Sequence, residues 1–406
     1  MRRAERVTLF FRARGFLAPA MALTFAVVCL AHSAQAEEAD LRCGQEPGNR
    51  FFWVERGYCD MDMLGPERAV GIVIWNHGIS GTGPQYQVPP ALMMRLLQVK
   101  GWDVIKINRN NLGETSVEAS LRRAVGRTLD EVKAQRKRGY RRVVLAGQSF
   151  GGYISLEAAE AEKDLFGVVA MAPGVVLRGG GSFGLDGAVT DRLLQGIRAE
   201  RLAVVFPAAD SMFGSVERGR SAVKILRPRI GPWLLLDETS GISGHAGATG
   251  GRFSLRYGTC LVEFLSPDEV PGGRFSCPES KPWEATRELL GWPSSVKPVS
   301  ESSIPSAIAA LNGTWYGLLG ESVVAFALVG GSEVDPGVLY RAATPRVSGG
   351  MFSPTVSGPE VHVRLPSKAE IIVTPGPGGA ATLTWISADR TRTEKTTLKR
   401  VSPGDP

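Results

Sequence analysis

Histidine is scarce in this chain: four occur among 406 residues, at positions 32, 77, 245 and 362. No H-E-x-x-H and no C-x-x-C pair is present, so the usual donor sets of zinc and thioredoxin-like redox sites are missing. No Walker loop occurs, and no G-x-G-x-x-G joins a strand to a helix; Gly78-x-x-Gly81-x-Gly83 is a glycine-rich turn. No metal and no cofactor is expected. Charge is also thin, at 21% of residues with a formal net value of +7. No basic stripe with interleaved aromatics is found, and the basic run 133–142 reads as the solvated end of a helix. Nucleic acid is therefore not an expected partner. Past residue 36 no stretch is long and apolar enough to span a bilayer.

The charge that is present is unevenly placed. Residues 1–36 hold Arg2, Arg3, Arg6, Arg12 and Arg14 against Glu5, which leaves about +3 for the rest. That arginine-rich start precedes an apolar run over 16–31 and Ala34-Gln35-Ala36, the three parts of a secretory signal peptide. An exported protein is expected, periplasmic or secreted, with no stable membrane span after cleavage. Cys29 leaves with the signal, and Cys43, Cys59, Cys260 and Cys277 remain. An even number in an exported chain suggests two disulfides. Of the three pairings, Cys43–Cys59 with Cys260–Cys277 is favoured, because it closes two short loops.

Beyond the signal the chain alternates between two periodicities. Apolar strand-like runs fall at 69–75, 102–107, 143–146, 166–171, 201–206 and 232–236. Helix-like patterns lie between or after them, near 90–99, 115–139, 150–159, 189–197, 216–225 and 253–264. The strongest is 115–139, where Val117, Leu121, Val125, Leu129 and Val132 mark one face and Gly139 supplies a C-cap. Alternation of this kind implies a mostly parallel sheet with helices on both faces, an α/β domain over 37–292. Residues 293–306 are Ser/Pro-rich and aperiodic, and read as a linker. Past the linker come seven short strand candidates separated by Gly/Pro/Ser turns: 313–317, 323–329, 338–343, 360–365, 370–374, 381–387 and 393–401. They imply a small all-β barrel or sandwich over 307–406. Trp315 and Trp385 are expected in its core.

The chemistry gathers at residues 141–159. A β-branched run meets Gly147-Gln148-Ser149-Phe150-Gly151, and a helical pattern starts at once. Strand, tight G-x-S-x-G turn and helix form a nucleophile elbow with Ser149 at its tip. A second G-x-S-x-G, at 180–184, places Ser182 in a glycine run with no strand before it, so Ser182 reads as a loop serine. A serine hydroxyl needs a histidine to take its proton and a carboxylate to orient that histidine. His245 lies after the 232–236 strand, in a glycine-rich loop, and suits the order serine, acid, histidine. Asp210, just past the 201–206 strand, is the favoured acid; Asp237 and Glu238 are rivals and Asp186 is a remoter one. The oxyanion requires two backbone donors. Phe150 N–H is one, and Ile79 N–H is the other, with Gly78 next. His77 then shapes the loop and is not the base.

V-V-L-A-G-Q-S-F-G-G-Y, with H-G-x-x-G upstream and an aspartate then a histidine downstream, resembles the α/β-hydrolase superfamily over about residues 60–290. The likeness is greatest to its dienelactone-hydrolase-like and small esterase branches. Gly313-Thr314-Trp315-Tyr316-Gly317 resembles the opening G-x-W of lipocalin-like barrels. The first resemblance implies a serine hydrolase of carboxylic esters or related acyl compounds, with a small-molecule partner. A peptidase or acyltransferase would use the same triad, and an inactive hydrolase fold would serve as a binding protein. With few residues between the 166–171 and 201–206 strands, the site is expected to be open or covered by the loop 175–186.

Overall fold

Every residue of β2 (Gly71–Asn76) and of β3 (Trp102–Arg109) is buried. Runs of this kind cannot face water on either side, so helices must cover both faces of their sheet. The remaining strands of that sheet are β1 (Phe52–Arg56), β4 (Val143–Gln148), β5 (Gly167–Met171), β6 (Arg201–Val205), β7 (Pro232–Leu236) and β8 (Gly273–Arg274). In the computed structural model their order is β1-β3-β2-β4-β5-β6-β7-β8. β1 is antiparallel to β3, and every other neighbouring pair is parallel. The structure describes residues 41, 43–44, 48, 50–79, 85–110, 117–175, 187–214, 216–296, 299–300, 303–330, 337–344 and 346–402. The signal segment 1–36, Ser182, Asp186 and loop residues 176–186 lie outside them.

The helices are α1 (Leu92–Val99), α2 (Val117–Arg138), α3 (Phe150–Ala161), α4 (Gly187–Gly196), α5 (Val216–Leu226), α6 (Gly251–Phe264) and α7 (Pro282–Leu290). α2 buries Leu121, Ala124, Thr128 and Val132; of the stripe expected from spacing, Leu121 and Val132 are buried while Val117, Val125 and Leu129 are only half-buried, because the face turned to the sheet runs through the smaller Ala124 and Thr128. Two terminal strands and one helix go beyond the hydropathy pattern. β1 lies in the aromatic lead-in between the first two paired cysteines, β8 has only two residues, and α7 begins at Pro282 beyond the last cysteine. The chain runs from β2 out to β3, then back across β2 to β4, and continues outward to β8. Its direction therefore switches between β2 and β4. A crevice opens beyond the carboxyl ends of two such strands. This topology, with helices on both faces and the strand–turn–helix of β4 and α3, is the α/β-hydrolase fold.

The second sheet is an antiparallel meander: β9 (Thr314–Leu319), β10 (Ser322–Val329), β11 (Gly337–Thr344), β12 (Arg346–Phe352), β13 (Thr355–Ser357), β14 (Glu360–Arg364), β15 (Glu370–Pro375), β16 (Ala381–Ile386) and β17 (Thr393–Arg400). Its first and last strands pair, so the sheet curls into a barrel. Among the described residues no ladder joins β12 to β13, and that is its open seam. β12 and β13 are the two strands the hydropathy pattern missed; their residues are mostly exposed and carry little apolar alternation. Trp315 is buried as expected, its Nε1 donating to the Leu311 carbonyl at 2.9 Å.

β10 is buried on both faces. Val324, Phe326 and Leu328 enter the barrel core. Val323, Ala325 and Ala327 pack outward with Leu92 and Leu96 of α1, Leu255 of α6 and Trp283 of α7. The unbroken apolar run of β10 is thus shared by two cores. Val299 and Ile304, from the Ser/Pro-rich stretch, are also buried against the barrel interior. Two disulfides close local loops, Cys43–Cys59 and Cys260–Cys277, as the spacing predicts. Among the described residues no helix is long and apolar enough to cross a membrane.

Candidate active site

Ser149 has φ 57° and ψ −125°, a left-handed backbone that a residue with a side chain adopts only under constraint. The constraint comes from the close approach of β2, β4 and α3. A Cβ on Gly147 would fall 2.4 Å from the Gly151 carbonyl, and one on Gly151 would fall 1.9 Å from the Asn76 oxygen. Both glycines of the motif are therefore set by packing, and the turn leaves Ser149 at the switch point between β2 and β4. Ser149 N–H donates to the Met171 carbonyl, and its own carbonyl accepts from Gly174 and Tyr153. The backbone of the elbow is held on three sides.

His245 and Asp210 are brought together from loops after β7 and β6. His245 Nδ1 lies 3.1 Å from both Asp210 oxygens. The Asp210 side chain is almost fully buried, while the His245 ring is 21% exposed. Asp210 Oδ1 also accepts from Met212 N–H at 2.9 Å and Phe213 N–H at 3.2 Å, and the Phe213 ring meets the imidazole edge-on. Burial raises the carboxyl pKa, but the His245 hydrogen bond, its charge and the two amides outweigh that and hold it below the usual carboxylate range. Ala209, immediately before it, is also left-handed at φ 49°. Ala208 pins the two loops to one another: its N–H donates to Ile242 O and its carbonyl accepts from Gly244, both at 2.7 Å. The Gln148 side chain, next to Ser149, donates to the His245 carbonyl at 3.2 Å. Among the described residues Ser149 Oγ makes no hydrogen bond, and such contacts in unliganded sites often tighten only with substrate.

The rival acids go elsewhere. Asp237 caps a short turn through Thr239 N–H and Oγ1, and Glu238 lies beside Gly219. Behind Asp210, Arg218 stacks on Phe206 at 4.5 Å and donates to the Pro173 carbonyl. Burial lowers its pKa to about 10, opposed by the charges of Asp210 and Asp191.

The loop after β2 carries His77, Gly78 and Ile79. A Cβ on Gly78 would sit 3.3 Å from Ser149 Cβ, so this backbone passes directly beside the serine. His77 is buried, and its Nε2 accepts from the Arg109 amide at 3.0 Å. Its proton is therefore on Nδ1, which lies 2.8 Å from the Gly78 carbonyl and donates to it. Burial, then the charge of Arg109, holds the ring well below the usual imidazole range. His77 is a neutral spacer in this loop, as its position suggests.

Arg109 is the participant the sequence did not reveal. Buried at the end of β3, it donates from Nη2 to the carbonyls of His77 and Gly78, and its guanidinium lies over the Phe150 ring at 5.3 Å. In a trans peptide the carbonyl and the following N–H point in opposite directions. Turning the Gly78 carbonyl toward Arg109 therefore turns Ile79 N–H away from it. The signal that could have found Arg109 is a cation at the carboxyl end of a strand, I-K-I-N-R, whose alternate residues before it are apolar.

Beside these groups lies an open cleft of about 730 Å³. Gly78, Gln148 and His245 border it at one end, and the segment from Val88 to Leu92 forms an apolar wall. Among the described residues no group of His, Cys, Asp and Glu is arranged to hold a metal ion.

No family model matches the chain, and no curated protein matches it. Solved structures do align with it. A CIB-like hydrolase from Thermoplasma acidophilum is 16% identical, covering 53% of this chain and 91% of that one with a TM-score of 0.36. An esterase from Pyrococcus furiosus is 13% identical, covering 55% and 96%, TM-score 0.38. Est1E from Butyrivibrio proteoclasticus is 13% identical, covering 53% and 93%, TM-score 0.36. The fold stands on the strand order and the elbow themselves.

Proposed function

We propose that this protein is an exported serine hydrolase acting on carboxylic esters or related acyl compounds. The reading is carried by one arrangement: a left-handed Ser149 at the switch point, whose neighbour Gln148 is bonded to the loop of a histidine with its Nδ1 held by a buried carboxylate. Ser149 Oγ attacks the carbonyl carbon as His245 Nε2 takes its proton. Asp210 keeps the Nδ1 proton in place and stabilises the imidazolium. Phe150 and Ile79 N–H receive the oxyanion. The intermediate collapses, the alcohol leaves with the proton from His245, and water releases the acid by the reverse sequence. The organisation that fits is a removable signal at 1–36, a hydrolase domain at 37–292, a connecting stretch at 293–306 and the barrel at 307–406. The two disulfides support an oxidising compartment.

Ser149→Ala tests this directly. It removes labelling by a fluorophosphonate probe and lowers kcat on p-nitrophenyl esters by about a thousandfold or more. Full activity in that variant sinks the mechanism. Retained binding of an acyl ligand without any Ser149 adduct in the wild type would instead mark an inactive hydrolase fold. A substrate panel separates ester from peptide cleavage, since the leaving group alone differs.

Arg109→Met tests the positioning of the oxyanion donors. It is expected to lower kcat about 10- to 100-fold while KM changes little, because misaligning one donor forfeits part of the roughly 100- to 1,000-fold that losing it outright costs. Arg109→Lys keeps the charge but not the two-carbonyl reach, and should fall between. A parallel thermal melt separates this from unfolding. An equal rise in KM with unchanged kcat would argue against the role.

A further inference from the structure

We propose that the β9–β10 hairpin of the barrel is the selecting wall of the cleft that Gly78, Gln148 and His245 border beside Ser149, and that Glu321 on its turn recognises a positively charged group on the ester. This rests on the reading of Ser149 as the nucleophile. The cleft is not lined by the α/β domain alone: Glu321, on the turn between β9 and β10, and Thr344, at the end of β11, also line it. Apart from His77 and His245, Glu321 is the one ionisable side chain among the described residues lining it. Its carboxylate has no hydrogen bond or ion pair among the described residues, and the side chain is exposed. The same cleft is lined by the apolar residues Val88, Pro89, Pro90, Ala91 and Leu92. A cleft with an apolar wall and one uncompensated negative charge favours a cation there and repels an anion.

The hairpin is built into the site and not merely near it. Gly251 N–H, at the start of α6 and just past the His245 loop, donates to the Glu321 carbonyl at 3.0 Å. A Cβ on Gly250 would fall 1.8 Å from Glu321 Oε2, and one on Gly251 would fall 2.6 Å from Glu321 O. Successive glycines therefore let the barrel turn seat against the histidine loop. Thr344 Oγ1 donates to Ser322 Oγ, tying the second wall residue to the same hairpin. β10, which continues from the turn, is locked between two cores. Glu321 thus stands on a rigid platform, the requirement for selecting between substrates. This gives the barrel a task in the reaction.

The test compares kcat/KM for the p-nitrophenyl esters of a trimethylammonio-butyrate and of its uncharged tert-butyl isostere, in the full chain. The cationic-to-neutral ratio is expected to fall about fivefold in Glu321→Gln, the scale of one solvent-exposed charge contact, and further in Glu321→Lys. Fluorophosphonate labelling of Ser149 is followed in each protein. Labelled proteins whose ratio does not move between wild type, Glu321→Gln and Glu321→Lys overturn the hairpin proposal alone. A wild-type chain that is neither labelled nor active overturns the underlying reading.

Discussion

Asp210→Asn is expected to lower kcat about ten-thousandfold with KM nearly unchanged. The reason lies in the donors around the carboxylate. Met212 and Phe213 amides both point at Oδ1, so an asparagine keeps its oxygen there and presents its NH2 to His245 Nδ1. The imidazole must then place its own proton on Nε2, where it can no longer accept one from Ser149. Asp210 does not line the cleft, so ground-state binding is spared. Because its pKa is held below the usual carboxylate range, the wild-type carboxylate stays charged through neutral pH, and what it contributes to stability is lost as pH falls from the usual carboxylate value through that lowered one. Steady-state kinetics on a p-nitrophenyl ester check the prediction. A loss under about tenfold, or an equal loss in Asp237→Asn, would remove Asp210 from the triad.

Gly151→Ala is expected to cost about 3 kcal/mol or more of stability, at the upper end for an overpacked core. The added methyl would lie 1.9 Å from the Asn76 oxygen and 2.6 Å from the His77 oxygen, and both contacts are backbone. Neither strand β2 nor helix α3 can yield by rotating a side chain, so the two must separate. The displacement also moves the loop carrying Gly78 and Ile79, so kcat falls along with the melting temperature. Gly126→Ala is the matched control. That glycine lies within α2 with nothing within 4 Å of its added Cβ, and the substitution should stabilise by about 0.5–1 kcal/mol. A Gly151→Ala protein that melts with the wild type would show that the elbow has slack the geometry denies.

Much of this could be read from residue order because the relevant interactions are local. Ser149 is set apart from Ser182 by the strand before it and the helix after it, within a few residues on either side. Histidine is so scarce that elimination leaves one candidate base. The local cysteine pairing comes from loop length. Alternating strands and helices imply the sheet, since a strand buried on both faces writes itself as an apolar run.

The rest depended on groups distant in sequence. Three carboxylates lie just beyond β6 and β7, and Asp210 is the one that meets His245, where the hydrogen bonds of Ala208 to Ile242 and Gly244 draw the two loops together. The cation at the end of β3 is visible in the sequence but its role is not, because the partners of Arg109 are backbone carbonyls, which carry no residue identity. β12 and β13 escaped because an exposed strand need not alternate. The apolar run of β10 was legible as a strand, yet nothing in it says that one face belongs to the barrel and the other to α1, α6 and α7. From its sequence alone this protein has a serine on a strained turn and one histidine able to serve it. Only the tertiary structure brings Asp210 to His245, sets Arg109 on the carbonyls of the Gly78 loop, and puts a barrel turn on the wall of the cleft, because each is a contact between segments the chain itself keeps far apart.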